Sequence, residues 1–450
     1  MKHGAIILAI VGFSLTSLPA ISQPATHVVL ISIDGLHPDM YLDSSWPAPN
    51  LRQLMKEGTY ADHMLSVFPA YTYPAHTAML TGALPARSKI VLNQPKGSKG
   101  EWNWFARYIQ VPTLWQVLRK AGLTTAAIEW PVSVDTNITY DIPEIWDIKH
   151  PEDRITETRR YATPRLVEEI EKEATGKLDS ANMSEEYFSM DDNSARMASY
   201  IFATYRPAFL AVHFAEVDGM EHAYGRDADS VRLAVEAADR AVGVPLEAVR
   251  RSAVADRTAV IIVGDHGFST SHNVFRPNML IKDVPARFIA AGGSAFLYLL
   301  EATSKTDTLG TIKAVTAALD GLPSDKRKLF RIIGRSELGQ MGADSSALLA
   351  LSAVPGVVFG GSISANAVFE AAHGGHHGYD PRDPLMYTGF IAAGAGILQG
   401  GHIKELCVTD IAPLVARLLG VAFICPDGKI VPGILTNEFG GRDTSPVVQP

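Results

Sequence analysis

The sequence feature that most constrains the fold is an alternation between short apolar segments of strand length and amphipathic segments of helical period. The clearest strand patterns lie at residues 27–33, 125–129, 208–214, 258–263 and 388–393. The helical patterns lie at residues 50–57, 74–81, 111–121, 229–251 and 409–419. Alternation of this kind is typical of a parallel sheet covered by helices. We therefore predict an α/β fold with a mostly parallel central sheet flanked by helices.

Four of the predicted helices are followed directly by glycine, namely Gly58, Gly82, Gly122 and Gly420. Glycine adopts the left-handed backbone conformation without steric cost, and it is a frequent helix terminator for that reason. We expect all four to end their helices in this way.

Two stretches depart from the alternation. Residues 147–192 are polar and predict a surface excursion, and residues 294–372 carry strand and helix patterns of their own, which predict an inserted subdomain. A chain of 450 residues is long enough for one large domain with such additions. We predict a single domain over residues 23–450.

The first residues predict a secretory signal peptide over residues 1–22. A basic start is followed by an apolar run at residues 5–18 and then by small residues. The run is shorter than the roughly 20 residues that a membrane span needs, although an uncleaved anchor is the alternative. No later stretch is typical of a membrane span, so we expect a secreted or periplasmic chain. There, Cys407 and Cys425 either form a disulfide or stay as free thiols.

Composition excludes several classes of function. The chain has 48 acidic and 40 basic residues and a formal net charge of −8, which argues against binding to a nucleic-acid polymer. It has only two cysteines, so a cysteine-rich zinc module is excluded. Any bound metal must therefore have nitrogen and oxygen ligands.

Acidic residues follow three of the predicted strands. Asp34 follows the first, Asp218 follows the strand at residues 208–214, and Asp265 follows the strand at residues 258–263. Ligands bind outside the carboxyl ends of parallel strands, so the three acids should meet at one edge of the sheet. Because three carboxylates in one crevice repel each other, a bound cation is expected there.

Histidines lie beside these acids. His222 is one helical turn beyond Asp218, His266 is adjacent to Asp265, and His377 lies in the glycine-rich segment HGGHHGYDP. Mixed aspartate and histidine ligands favour a catalytic zinc ion or a similar dication. A separate segment, FPAYTYPAH, places Thr72 at or beside the start of a predicted helix, where an anion is stabilised.

The motifs that carry a family resemblance occur in a fixed order: ISIDG with Asp34, FPAYTYPAH with Thr72, then Asn93, DGMEHAYG with Asp218 and His222, GDHGF with Asp265 and His266, and HHGYDP with His377. Together they resemble the alkaline phosphatase superfamily, and the nearest branch is the nucleotide pyrophosphatase/phosphodiesterase type. The resemblance runs from about residue 26 to residue 420 and implies an alkaline phosphatase-like catalytic domain.

The resemblance implies two zinc ions per chain, with Mn²⁺ or another dication as the alternative. One ion would be held by Asp218, His222 and His377. The other would be held by Asp34, Asp265, His266 and the Thr72 hydroxyl. In this scheme Thr72 attacks phosphorus to form a covalent phospho-threonine, which water then hydrolyses. The Asn93 amide and the Thr72 backbone N–H would hold a phosphoryl oxygen.

The resemblance implies a hydrolase that acts on a small phosphate ester and resembles phosphodiesterases. Tyr73 is a candidate for stacking on the organic group of the substrate. Lys96 and Lys99 either bind a second anionic charge or are solvated loop lysines. The alternatives are a phosphomonoesterase or phosphonate hydrolase on the same site, and a secreted protein that binds metal without turnover. The oligomeric state is not indicated by the sequence.

Overall fold

The computed structural model describes residues 25–184, 188–300 and 308–436. The predicted signal peptide lies outside these residues. The strands are β1 (His27–Ile33), β2 (Thr59–Leu65), β3 (Thr125–Ile128), β4 (Tyr140–Ile142), β5 (Phe209–Phe214), β6 (Thr258–Val263), β7 (Ser269–Thr270), β8 (Asn273–Phe275), β9 (Ala286–Ala291), β10 (Ser294–Leu299), β11 (Phe330–Gly334), β12 (Leu349–Ala353), β13 (Val357–Phe359), β14 (Phe369–Ala371), β15 (Gly375–His376), β16 (Phe390–Gly394) and β17 (Gly401–Cys407).

The α-helices are α1 (Asp39–Leu42), α2 (Pro49–Glu57), α3 (Thr72–Thr81), α4 (Pro85–Ser88), α5 (Leu114–Lys120), α6 (Thr156–Tyr161), α7 (Leu166–Ile170), α8 (Ser189–Tyr205), α9 (Glu216–Tyr224), α10 (Asp229–Arg251), α11 (Thr308–Asp320), α12 (Ser324–Arg327), α13 (Arg335–Gln340) and α14 (Ile411–Leu418). The segments that were predicted as strands and helices from periodicity all appear, with bounds that differ by a few residues.

An eight-stranded sheet forms the centre, with strand order β17-β2-β16-β6-β1-β5-β3-β4. β1 pairs in parallel with β5 on one side and with β6 on the other. β16 is antiparallel to both of its neighbours, and the other pairings are parallel. The predicted mostly parallel α/β architecture is therefore confirmed.

Both faces of the sheet are covered by helices, which explains why its strands are apolar throughout. Val29 and Ile31 of β1 face the cluster that contains α2, α8 and α10. Val28 and Leu30, on the opposite face, pack in the cluster with α3, α5 and α14. Alternating residues of one strand thus enter two cores, and full burial of each such side chain contributes about 1.5–3 kcal/mol.

The glycine prediction holds for three of the four helices and is wrong for Gly58. Gly82 ends α3 at φ +61°, and the glycines after α5 and α14 also have positive φ. Gly58 has φ −143°, so it needs no left-handed freedom. A Cβ at Gly58 would lie 1.9 Å from the carbonyl oxygen of Ala392. Gly58 is therefore required for the close approach of β16, which the local sequence does not reveal.

The segment that predicts an inserted subdomain contributes to a second, four-stranded sheet of order β11-β12-β10-β9, called the small sheet below. β9 pairs with β10 in register Ala291↔Ser294, although β9 precedes the predicted start at about residue 294. The polar segment at residues 147–192 contains α6, α7 and the start of α8. Within the described ranges, no helix is long and apolar enough to cross a membrane.

Candidate active site

Three acidic side chains meet at the carboxyl edge of the central sheet. Asp34 directly follows β1, Asp265 lies just beyond β6, and Asp218 lies in the first turn of α9, which follows β5. β1 is flanked by β5 and β6 in parallel register, so these three strand ends are adjacent in space. The convergence that the sequence predicts is present.

Two groups of side chains in the described residues have the geometry of a metal site, with ligand atoms that lie within 4.8 Å of one another. The first group is Asp218, His222 and His377. The second group is Asp34, Asp218 and His266. The predicted first ligand set is thus brought together in full. Asp218 additionally joins the second group, which was not predicted.

The remaining two predicted ligands lie at the second group. The Nε2 atom of His266 is 3.2 Å from the Asp265 carboxylate and 3.3 Å from the Thr72 hydroxyl. It is also 3.3 Å from the Asp34 carboxylate. All seven predicted metal ligands therefore lie in one continuous cluster centred on His266 and Asp218.

Backbone carbonyls orient two of the histidine rings. The Nδ1 atom of His377 donates to the carbonyl of Ala70 at 2.9 Å, and that of His222 donates to the carbonyl of Gly375 at 3.0 Å. Because a carbonyl only accepts hydrogen bonds, the proton of each neutral ring lies on Nδ1. The Nε2 atoms, which face Asp218, then carry the lone pairs that could bind a metal, and hydrogen bonds from the other ring nitrogen to carbonyls are common in metal sites.

The electrostatics of the cluster favour a cation. Burial, reinforced by the charges of Asp265 and Asp218, raises the pKa of Asp34 well above its ordinary value. Burial and the charge of Asp218 raise the pKa of Asp265 to about 7. Asp34 Oδ1 and Asp265 Oδ2 are buried and accept no hydrogen bond from any described residue. Buried carboxylate oxygens in this state are suited to coordinate a metal.

His213 is a part of the site that the sequence analysis missed. Its Nε2 atom lies 3.1 Å from Asp34 Oδ2, and its Nδ1 atom donates to the carbonyl of Glu129 at 3.2 Å. The residue is buried in β5, and its position within an apolar strand gives no local sign of a functional role. The available signal was positional: parallel pairing of β1 with β5 places His213 opposite Ser32, close to Asp34.

Thr72 is the first residue of α3, two residues earlier than the predicted start of this helix. Tyr71 occupies the N-cap position, and no side chain caps the helix. The Thr72 hydroxyl is therefore not used as a cap and points instead to His266. The next turn is fixed by His76, which bonds the Thr72 carbonyl at 2.8 Å and the Ser32 hydroxyl at 2.9 Å.

Asn93 lies beside the start of α3, as predicted. Its Oδ1 atom accepts a hydrogen bond of 3.0 Å from the backbone N–H of Tyr73. This contact assigns the orientation of the amide, so the Nδ2 group is the end available as a donor. Asn93 also lines a cavity of about 360 Å³, whose lining includes Tyr71, the N-cap residue of α3.

The predicted substrate contacts are placed unevenly around this cavity. Its lining residues include Tyr71, Asn93, Lys96 and Trp102, whereas Lys99 is not among them. Tyr73 is fully buried, its ring packs against Trp102, and its hydroxyl donates to Glu144. A fully buried ring does not fit the prediction that Tyr73 stacks on the substrate. Its neighbour Tyr71, which is partly exposed, lines the cavity.

Comparison with known families gives a match over most of the chain. The family described as "Type I phosphodiesterase / nucleotide pyrophosphatase" matches residues 28–380. Ectonucleotide pyrophosphatase/phosphodiesterase family member 7 of Rattus norvegicus is 23% identical over 466 residues, which cover 97% of this chain and 93% of the relative. Bis(5'-adenosyl)-triphosphatase enpp4 of Xenopus laevis is 24% identical over 258 residues, or 55% of this chain and 48% of the relative.

Solved structures share the fold. Human ectonucleotide pyrophosphatase/phosphodiesterase 5 superposes with a TM-score of 0.67 at 18% identity, covering 90% of this chain and 97% of that one. An inactive threonine-to-alanine variant of the murine protein, in complex with AMP, gives a TM-score of 0.65 at 18% identity and covers 88% and 96% of the two chains.

Proposed function

Because the chain belongs to the type I phosphodiesterase / nucleotide pyrophosphatase family, a family of phosphate-ester hydrolases, we propose that it cleaves phosphate esters at a two-metal site with Thr72 as the nucleophile. The observation that carries the proposal is the position of the Thr72 hydroxyl. It lies 3.3 Å from His266 Nε2, at a helix N-terminus and without a capping role. A hydroxyl in that position is available for nucleophilic attack.

The metal ligands follow from the two groups of side chains. Asp218, His222 and His377 would hold one ion, and Asp34, Asp265, His266 and the Thr72 hydroxyl would hold the other. The orphaned oxygens of Asp34 and Asp265 support this fit. Two bound dications, Zn²⁺ or alternatively Mn²⁺, supply charge neutralisation and lower the pKa of a coordinated hydroxyl.

The chemistry assigned to the chain's own residues is a double displacement. The Thr72 Oγ–P bond forms as the bond between phosphorus and the leaving oxygen breaks, and the leaving group departs as an alcohol after it gains a proton. Water then attacks the phospho-threonine, the Oγ–P bond breaks, and Thr72 regains its proton. A diester therefore yields a phosphomonoester and an alcohol.

Asn93 and the start of α3 would position the phosphoryl group. The Nδ2 group of Asn93 and the backbone N–H of Thr72 are the two donors suited to a nonbridging oxygen, and they gain strength as charge develops there. The adjacent cavity, with Tyr71 and Trp102 in its lining, would hold the organic group of the ester.

A diester is favoured over a monoester by the state of the two candidate lysines. Lys96 is paired with Asp344 at 3.0 Å, and Lys99 does not line the cavity. A monoester or an unesterified phosphonate carries a second negative charge on its phosphoryl group, and these lysines would have to balance that charge. Hydrolysis of monoesters or phosphonates on the same site is the second candidate, and metal binding without turnover is the third.

The proposed setting is outside the cytoplasm, either secreted or periplasmic. The match to relatives named as ectonucleotide enzymes supports it, together with the N-terminal signal that the sequence predicts. The proposed partner is a small phosphate ester.

The test is an assay of the zinc-loaded protein on bis(p-nitrophenyl) phosphate, p-nitrophenyl phosphate and an aryl phosphonate ester. Thr72→Ala and Asp265→Ala should each lower turnover of the preferred ester by at least ~100-fold. Thr72→Ser, which keeps a hydroxyl, should retain measurable turnover. Undiminished turnover in Thr72→Ala would exclude Thr72 as the nucleophile. Full zinc content without turnover on any ester would favour the metal-binding alternative.

A further inference from the structure

We propose that the ion pair between Lys96 and Asp344 closes one wall of the cavity and neutralises Lys96, so that the site gives no preference to esters whose organic group carries a second negative charge. This inference deepens the proposed function and rests on it, because it concerns the group attached to the phosphorus that Thr72 attacks. It makes Lys96 and Asp344 residues that determine specificity.

The ammonium group of Lys96 is engaged on several sides. Its Nζ atom lies 3.0 Å from Asp344 Oδ2 and donates to the Ser346 hydroxyl at 2.7 Å. It also lies 4.7 Å from the centre of the Tyr298 ring. The side chain is 41% exposed, so it reaches the solvent-facing side of the cavity while its charge is directed to Asp344.

Asp344 is held as a fixed carboxylate. Its side chain is only 10% exposed, and it accepts hydrogen bonds from the Ser346 backbone and hydroxyl at 2.9 and 2.8 Å. The Tyr298 hydroxyl donates to it at 2.9 Å. Burial opposes ionisation, but the bonds from Ser346 and Lys96 outweigh it and lower the pKa of Asp344. The negative partner of Lys96 is therefore built into the protein.

The rest of the cavity lining provides no further charge. Among the described residues that line it, Lys96 is the only one with a formal charge, and the others are neutral polar, apolar or aromatic side chains such as Trp102 and Ile289. With Lys96 already balanced by Asp344, a second phosphate on the substrate meets no unpaired cation among the described lining residues, so it gains no affinity from an ion pair.

The pair also joins two parts of the chain that are distant in sequence. Lys96 lies in the loop that follows Asn93, and Asp344 lies between α13 and β12 of the small sheet. Breaking the pair would leave Lys96 with the Ser346 hydroxyl and the face of the Tyr298 ring as its described partners, and its charge would no longer be balanced. A preference for a second negative charge on the substrate should therefore appear after one substitution.

The test measures binding by isothermal titration calorimetry with the zinc-loaded protein. The probes are adenosine 5'-monophosphate and adenosine 3',5'-bisphosphate, which differ only in the second phosphate. In the unmodified protein the two dissociation constants should agree within about threefold. In Asp344→Asn the bisphosphate should bind about tenfold more tightly than the monophosphate, the gain expected from one charge-assisted contact.

Three further variants complete the design. The double variant Lys96→Met/Asp344→Asn should lose the tenfold gain, because the released ammonium is its source. Lys96→Met alone should leave the ratio of the two affinities near one, and this variant decides the question if Asp344→Asn proves unfolded in thermal melting. Asp320→Asn breaks a comparable ion pair, with Arg327 at 2.8 Å, away from the cavity and should change nothing.

Several results would overturn the proposal. A tenfold preference of the unmodified protein for the bisphosphate, lost in Lys96→Met, would mean that Lys96 binds the second anion despite Asp344. An unchanged ratio in folded Asp344→Asn would mean that the pair does not set selectivity. Failure of both probes to bind would mean that the cavity does not hold the organic group. Because binding is read without turnover, a failure of the proposed hydrolysis is seen separately.

Discussion

Asp34 contacts both the candidate metal ligands and a buried histidine behind them. Its Oδ1 atom faces His266 among the candidate metal ligands, and its Oδ2 atom faces His213 in the layer behind them. Burial lowers the pKa of His213 to about 4, and its Nδ1 proton is committed to the Glu129 carbonyl. The other ring nitrogen, Nε2, contacts Asp34 Oδ2 at 3.1 Å, so the orientation of Asp34 depends on His213.

Replacement of His213 should therefore weaken metal binding. We expect His213→Ala to lower zinc affinity by about 10–100-fold, the usual effect of removing a residue that orients a metal ligand. Competition with a chromogenic chelator measures the affinity. The control is His272→Ala, since His272 is exposed and lies outside the cluster. Equal zinc affinity in the two variants would contradict the role assigned to His213.

The raised pKa of Asp265 predicts how metal affinity depends on pH. Burial and the charge of Asp218 raise this pKa to about 7, so in the metal-free protein the Asp265 carboxyl holds a proton at pH 6, which an entering cation must displace. Burial lowers the pKa of His266 and of His377 well below the usual histidine value, so protonation of their rings competes less with the metal. Affinity should rise from pH 5.5 and level off near pH 8.

Below pH 7 the slope should approach about tenfold per pH unit for the proton displaced from Asp265. Titration calorimetry in two buffers with different ionisation enthalpies measures the number of protons released. A metal affinity that is independent of pH between 5.5 and 8 would show that Asp265 is already ionised in the metal-free protein.

At the residue scale, the sequence reveals the ligands that follow recognisable strand ends or lie one helical turn apart. Asp34, Asp218 and Asp265 are of this kind. It does not reveal His213, because a histidine inside a buried strand has no local signature. It also does not reveal that Tyr71 lines the cavity while Tyr73 is buried, since this difference depends on where α3 begins, and the helix starts two residues earlier than the pattern indicates.

At the element scale, the β9–β10 hairpin links the small sheet to the cluster of candidate metal ligands. Its turn donates from the Gly293 backbone N–H to the His377 carbonyl at 2.9 Å, and the Ser294 hydroxyl donates to the Gly378 carbonyl. A Cβ at Gly292 would lie 2.1 Å from the His377 carbonyl oxygen. The hairpin therefore fixes the backbone that presents the His377 ring.

Loss of the serine contact should loosen that backbone. We expect Ser294→Ala to lower zinc affinity by about tenfold. The unfolding free energy of the metal-free protein should fall by about 1–3 kcal/mol, the cost of leaving a buried carbonyl without its hydrogen bond. The matched control is Ser352→Ala, because Ser352 is also buried and is the partner of Ser294 in the β10–β12 register. If both variants lower zinc affinity equally, the effect belongs to the sheet and not to the contact with the His377 loop.

The same hairpin also shows a limit of prediction at this scale. Its strand patterns are visible in the sequence, but the segment predicted as an insertion begins at about residue 294 and divides β9 from β10. Hydrophobic patterns identify strands one at a time and do not reveal which strands pair. Pairing of β9 with β10 becomes apparent only in three dimensions.

At the scale of the whole molecule, the order β6-β1-β5 in the middle of the sheet brings the three acids together. The rule that ligands bind at the carboxyl ends of parallel strands was sufficient to predict this meeting point from the sequence. The antiparallel insertion of β16 between β6 and β2 was not predictable, because strand direction leaves no trace in an apolar run.

A cluster of buried, mutually repelling carboxylates should make the metal-free protein less stable than the loaded form. Each ion at a free concentration of 100 times its dissociation constant stabilises the folded state by about 2.7 kcal/mol. We expect a chelator to lower the melting temperature by several degrees in differential scanning fluorimetry, and added Zn²⁺ to restore it. An identical melting temperature with and without the chelator would argue against metal at this cluster.

The candidate ligands are spread along the chain from Asp34 to His377, and each metal-binding group draws its members from at least two distant segments. No local stretch of a growing or partly folded chain contains a complete set of donors. High-affinity metal capture can therefore occur only after the central sheet has closed around β1 and the small sheet has docked the His377 loop. Metal retention would then distinguish correctly folded chains from truncated or misassembled ones, because only the folded chain brings a complete set of ligands together.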